Sequence, residues 1–132
     1  MIQGALLIMS EDRVNGYIRT RDKYLSNSDR LSGEGEFRKA SELLWGAITQ
    51  AIKALAAAWG QRISKHGEFF DFMRTIAREV DENSLYESFL FLRQLHTNFY
   101  EETIPSADFQ IYRTKAELFI KRLDEILRSS SS

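Results

Sequence analysis

The sequence contains no cysteine. That excludes disulfides, thiolate-bound zinc and a cysteine nucleophile, and it leaves a reducing, cytoplasmic setting unopposed. There are only two histidines, His66 and His96, too few for a three-histidine metal site. One proline and seven glycines argue against a loop-rich or all-β fold. Basic and acidic side chains number 18 and 19, and the net charge of −1 supplies no global field to hold RNA, DNA or an anionic membrane. The apolar run IQGALLIM at residues 2–9 is too short to span a bilayer and lacks the basic flank of a signal peptide. What remains is 132 residues, 43% apolar and 28% charged, the composition of one soluble globular domain with its own core.

Hydrophobic spacing is helical almost throughout. Residues 1–9 read as an N-terminal extension, residues 10–128 as the domain, and the serines at 129–132 as a disordered polar tail. Ser10 is placed to cap a helix over 11–26, with Val14, Tyr17, Ile18 and Leu25 on one face. The polar stretch SNSDRLSGEG at 26–35 reads as a loop. A long helix over 35–59, stopped by Gly60, carries two adjacent stripes. The bulky one is Trp45, Ile48, Ile52, Leu55 and Trp59; the mostly small one is Ala40, Leu44, Ala47, Ala51, Ala54 and Ala58. A helix apolar over so much of its girth belongs at the centre. A third helix is expected over 68–80, burying Phe69, Phe72, Met73, Ile76 and Val80. Ser84 and Glu87 form a capping box for a fourth over 85–102. Pro105 ends that run, and Ser106 is placed to cap a fifth over 107–128, with Phe109, Tyr112, Ala116, Phe119, Leu123 and Ile126 as its seam. The expectation is an all-α, up-and-down bundle of four long helices plus one shorter helix.

Complete catalytic motifs are missing. GEGE at 33–36 has no Walker-type lysine, neither histidine lies in HExxH, and no glutamate precedes either by three residues. No metal site and no cofactor are predicted. The densest polar cluster is on the fourth helix, where Arg93, His96 and Tyr100 share a face. Such a trio suits acid–base work on a phosphodiester, with the arginine holding phosphate. The plainer reading is a partly buried structural histidine, since His96 follows Leu92 by four and precedes Phe99 by three, with Arg93 as a rim residue pairing Glu87 or Glu101. His66, beside Arg62 and Lys65, reads as a solvated connection. Basic residues of the last helix alternate with acids and form no nucleic-acid stripe. Phe70, Tyr86 and Phe91 fall off the main core faces and are candidate interface residues of a two-fold homodimer. Trp45 and Trp59 could line a ligand pocket, but aromatics at helical spacing usually build core.

Two segments carry a family resemblance. KASELLWGAITQAIKALAAAWG at 39–60 and LHTNFYEE at 95–102 resemble the archaeal PaREP family of small helical proteins, with matching order and spacing over about residues 35–127. That family is similar to the HEPN group. The resemblance implies a helical bundle that dimerises in an archaeal cytoplasm, beside a nucleotidyltransferase or in RNA processing or defence. Active HEPN ribonucleases carry an arginine and a histidine at a longer spacing. Here only two residues separate Arg93 from His96, and three separate Arg62 from His66. The function expected is therefore a non-catalytic dimerisation and interaction module. The alternatives are a metal-independent endoribonuclease, with His96 as base and Arg93 as clamp at a dimer cleft, and a nucleotide or small-ligand binder.

Overall fold

In the computed structural model the backbone of residues 2–131 and the side chains of residues 10–130 are described. All regular structure among them is helical. The chain runs α1 (Ile2–Gly33), α2 (Phe37–Ala58), α3 (His66–Glu79), α4 (Asn83–Leu92), α5 (Gln94–Glu101), a 3-10 turn (Ser106–Asp108) and α6 (Phe109–Ser131). The molecule is an all-α bundle. Helices α1, α2 and α6 are long, at 32, 22 and 23 residues, and α3 has 14. The expected fourth long helix is divided in two.

Helix α2 is the axis of assembly, and α1, α3, α5 and α6 all pack on it. Both of its stripes are buried except at the C-terminal end, where Ala58 is exposed and Trp59 half-buried. It ends as its glycine foretold. Gly60 adopts φ +75, Gly60 N–H donates to Ala57 O at 3.0 Å, and Gln61 N–H donates to Ala56 O at 2.8 Å. This pair of bonds satisfies carbonyls that a helix otherwise leaves open at its end.

Helix α1 departs most from expectation. It begins at Ile2, so residues 2–9 continue into it and Ser10 lies in its interior, not at a cap. It also runs through the polar stretch read as a loop, stopping only at Gly33 before Gly35 at φ +80. Serine hydroxyls ordinarily compete for nearby backbone groups and favour caps and turns over helix interiors. Here they bond across to α2: Ser10 Oγ donates to Ala57 O at 2.9 Å, and Ser28 Oγ, fully buried, to Ala40 O at 2.8 Å. Tyr24 lies on Gly46 between them. The three contacts run in opposite order on the two helices, which makes α1 and α2 an antiparallel hairpin.

The expected helix over 85–102 breaks at Arg93. Helix α4 packs on α3 and α6, burying Leu85, Phe89 and Leu92; α5 packs on α2, burying Leu95 and Asn98. A stretch apolar on several faces serves two neighbours by bending between them. The Ser84–Glu87 box does not form. Helix α4 starts at Asn83 without a side-chain cap, because the chain leaves α3 through a left-handed Asp81 at φ 55, with Glu82 N–H on Ala77 O at 2.8 Å. Ser106 is likewise no cap but the first residue of the 3-10 turn, which follows Pro105. Helix α6 buries the expected seam, with Tyr112 half-buried, and continues through the serines to Ser131. Within the expected tail, Ser130 Oγ accepts Trp59 Nε1–H at 2.9 Å and donates to Ile126 O at 2.8 Å. Ser132 lies outside the described residues.

Asp81 holds a backbone conformation that favours glycine. Asp81→Gly is expected to raise unfolding free energy by about 0.5–1 kcal/mol in urea denaturation. Ile52→Ala, emptying a fully buried site on α2, is expected to lower it by about 2–5 kcal/mol.

Candidate functional site

The packing of α5 on α2 brings His96 to Glu42. His96 Nδ1 lies 2.9 and 3.1 Å from the two Glu42 carboxylate oxygens, and the side chains are 27% and 34% accessible. The carboxylate holds Nδ1 as the protonated donor and leaves the other ring nitrogen for chemistry. The His96 ring stacks on Trp45 at 6.3 Å between centroids and meets the edge of Tyr100 at 5.4 Å. On its open side stands His66, whose ring lies 6.1 Å away at 28°. His66 is thus the first residue of α3, not part of a solvated connection, although it is exposed.

Helices α3 and α4–α5 meet in antiparallel register. Above His66 and His96 come Phe70 and Arg93, then Arg74 and Tyr86. Arg93 lies over the Phe70 ring at 5.3 Å, so it joins neither Glu87 nor Glu101 in an ion pair and clamps nothing at His96. Arg93 and His96 do share the face turned toward α3, one turn apart, but the Arg93 guanidinium sits on Phe70 and not at the imidazole. His96 and Tyr100 stay together, with Tyr100 65% exposed, while Arg93 belongs to the next rung.

A cleft of about 270 Å³ opens beside the histidines. Glu42, Trp45, Thr49 and Lys53 of α2 line one wall, Lys65 and His66 another, and His96 closes it. Lys53 Nζ lies 6.0 Å above the Phe69 ring. A larger cavity, about 680 Å³, lies elsewhere, at the start of α2. There Arg38 already donates to Phe99 O, lies over the Phe99 ring and faces Glu102 at 3.7 Å. Among the described residues no group of three metal-ligating side chains converges.

One buried residue holds this arrangement. Asn98 Nδ2–H donates to Ser41 Oγ at 3.0 Å, and Ile104 N–H donates to Asn98 Oδ1 at 2.6 Å. Asn98 thereby ties α5 to α2 one residue from Glu42 and anchors the chain after the left-handed Glu102. Glu42, Lys53 and Asn98 were not read as site residues. The only signal in the sequence is that all three lie in the two segments of the family resemblance, Glu42 and Lys53 in the first and Asn98 in the second.

The three candidate interface aromatics are half-buried against the core. Phe70 meets Phe89 edge-on at 5.2 Å beneath Arg93, Tyr86 lies under Arg74 at 5.2 Å, and Phe91 stacks on Tyr112 at 4.6 Å beneath Lys115. Burial, and secondarily Asp108, raise the Tyr112 hydroxyl above its usual titration range. Among the described residues the large apolar side chains left open, besides Tyr100, are Leu90, Ile111 and Leu118, at 43%, 52% and 61%.

The model of the archaeal PaREP1/PaREP8 family matches residues 16–120. The chain belongs to this family. No curated protein matches it. In this PaREP1/PaREP8 chain the two segments that carry the resemblance meet at the site: Glu42 and Trp45 against His96, and Ser41 against Asn98.

Asn98→Ala would leave the Ile104 N–H unpaired in a buried position. A loss of about 1–3 kcal/mol in unfolding free energy is expected, read by chemical denaturation.

Proposed function

We propose that this PaREP1/PaREP8 chain is a helical dimerisation and interaction module. The observation that carries the reading is an uncovered apolar strip on α4 and α6. Ile111 and Leu118 stand seven residues apart on one face of α6, and Leu90 is exposed on the adjoining α4. Leu118 borders a groove of about 210 Å³ with Leu85 and Phe119, and Glu82, Lys115 and Arg122 are at its margin. An apolar floor with a polar rim is the ordinary build of an interface. Arg122 is preset there by its hydrogen bonds to Glu82, which hold the guanidinium even further above its usual range. Of the aromatics expected at the interface, Phe91 adjoins this strip, whereas Phe70 and Tyr86 lie along the seam with α3.

The occupant proposed is a second copy of the chain, the commonest solution for an exposed self-surface. We further propose, from the resemblance of the PaREP family to the HEPN group alone, an accessory role beside a nucleotidyltransferase or an RNA-processing or defence complex in the cytoplasm. No helix among the described residues is long and apolar enough to cross a membrane.

Sedimentation equilibrium is expected to give a dimer, and Ile111→Glu with Leu118→Glu a folded monomer. A wild-type chain that stays monomeric at every concentration overturns the reading, and a dimer insensitive to the double substitution removes this face from it.

One observation favours a second reading, metal-independent cleavage of a phosphodiester. Glu42 orients His96 as a carboxylate orients a general base, at an open cleft with a second imidazole facing it. The arginine clamp is absent from that geometry. RNA cleavage in chelator that His96→Ala abolishes would establish this activity; a folded protein that leaves RNA intact would remove it.

A further inference from the structure

We infer that the cleft between α2, the start of α3 and α5 binds the phosphate group of a small phosphate monoester. The inference stands on the cleft itself and is independent of dimerisation. Four nitrogen-bearing side chains reach this space from three elements: Lys53 on α2, Lys65 and His66 at the start of α3, and His96 on α5. The one carboxylate lining it, Glu42, is bonded to His96, and its single charge is outnumbered by the two ammonium groups of Lys53 and Lys65. Thr49 and Ser64 also line it, their hydroxyls donating to Gly46 O at 2.9 Å and to Glu68 Oε1 at 3.4 Å.

The donor set chooses among anions. A flat carboxylate is best met by the planar fork of an arginine, and this lining holds none. Ammonium and imidazole groups arriving from several directions suit a tetrahedral dianion, whose oxygens point several ways. The surroundings also set the size of the ligand. Glu68 and Asp71 follow on α3, Asp71 holds Arg74 at 3.1 Å, and the chain as a whole carries −1. A polyanion needs a continuous basic track, whereas a cleft of about 270 Å³ admits one phosphate and the first atoms attached to it. Trp45 and Phe69 supply an apolar wall for those atoms.

The test is calorimetric titration of the full chain at constant ionic strength with inorganic phosphate and with phenyl phosphate, alongside NMR of the histidine rings. Saturable binding that moves the His66 and His96 ring signals is expected. The double substitution Lys65→Gln and His66→Gln, at two exposed positions, is expected to weaken it by at least about tenfold. Lys121→Gln, which removes an exposed charge on α6, is expected to leave it unchanged. The inference is overturned by no saturation with either probe, by binding that leaves both histidine signals in place, or by acetate binding as tightly as phosphate. If Lys65→Gln and His66→Gln leave affinity unchanged, phosphate sits elsewhere and the cleft assignment falls.

Discussion

Helix α2 has almost no free face, and every other part of the molecule is arranged by that fact. Twelve of its 22 residues are buried, and six of those are alanines. Small side chains let a neighbouring backbone come close; large ones fill the space beyond. At Gly46 the approach is closest, since a methyl group there would lie 3.0 Å from the Tyr24 ring. Burial of this apolar surface is what stabilises the bundle, at about 25 cal/mol for each Å² removed from water. It also explains why α1 stays helical through a polar sequence. Its serine hydroxyls find carbonyls on α2, so helix and tertiary contact support each other.

Non-directional packing does not set register. That is done by a few polar pins, Ser28 to Ala40 on one side of α2 and Asn98 to Ser41 on the other. Each is buried, so breaking it leaves a group unsatisfied, and the cost is concentrated at one position. The second pin has a chemical consequence. It fixes the rotation and height of α5 on α2, which brings the Glu42 carboxylate to His96 Nδ1. The division at Arg93 marks a change of partner, since α4 packs on α3 and α6 whereas α5 packs on α2.

Along the seam of α3 with α4–α5, cations cover aromatic rings. Arg93 lies over Phe70 and Arg74 over Tyr86; Lys115 covers Phe91 in the same manner on the α6 side. Such contacts contribute about 0.5–1 kcal/mol each at exposed sites and remove apolar surface from water. They leave two surfaces distinct in character. One is the apolar strip of α4 and α6; the other is the small basic cleft at the histidines. Association and ligand binding can therefore occupy separate parts of the bundle.

Local spacing determined the class of this protein. Period-three-and-four apolar residues marked α2, α3 and the α6 seam, and Gly60 marked the stop after α2, because helix periodicity and left-handed glycine caps are local properties. The central place of α2 was legible for the same reason. The extent of α1, the start of α4 and the break at Arg93 were not, since each depends on partners far along the chain: Ala57 and Ala40 for the serines, Arg122 for Glu82, and α2 for α5. The site shows the same division. His96 stood out as a titratable group on a mixed face. Its partners Glu42 and His66 are 54 and 30 residues away, and only the antiparallel packing of helices brings those side chains into one cleft. Arg93 lies one turn before His96 on the same α3-facing side, and its guanidinium settles on Phe70, a residue of α3 that local spacing does not place beside it.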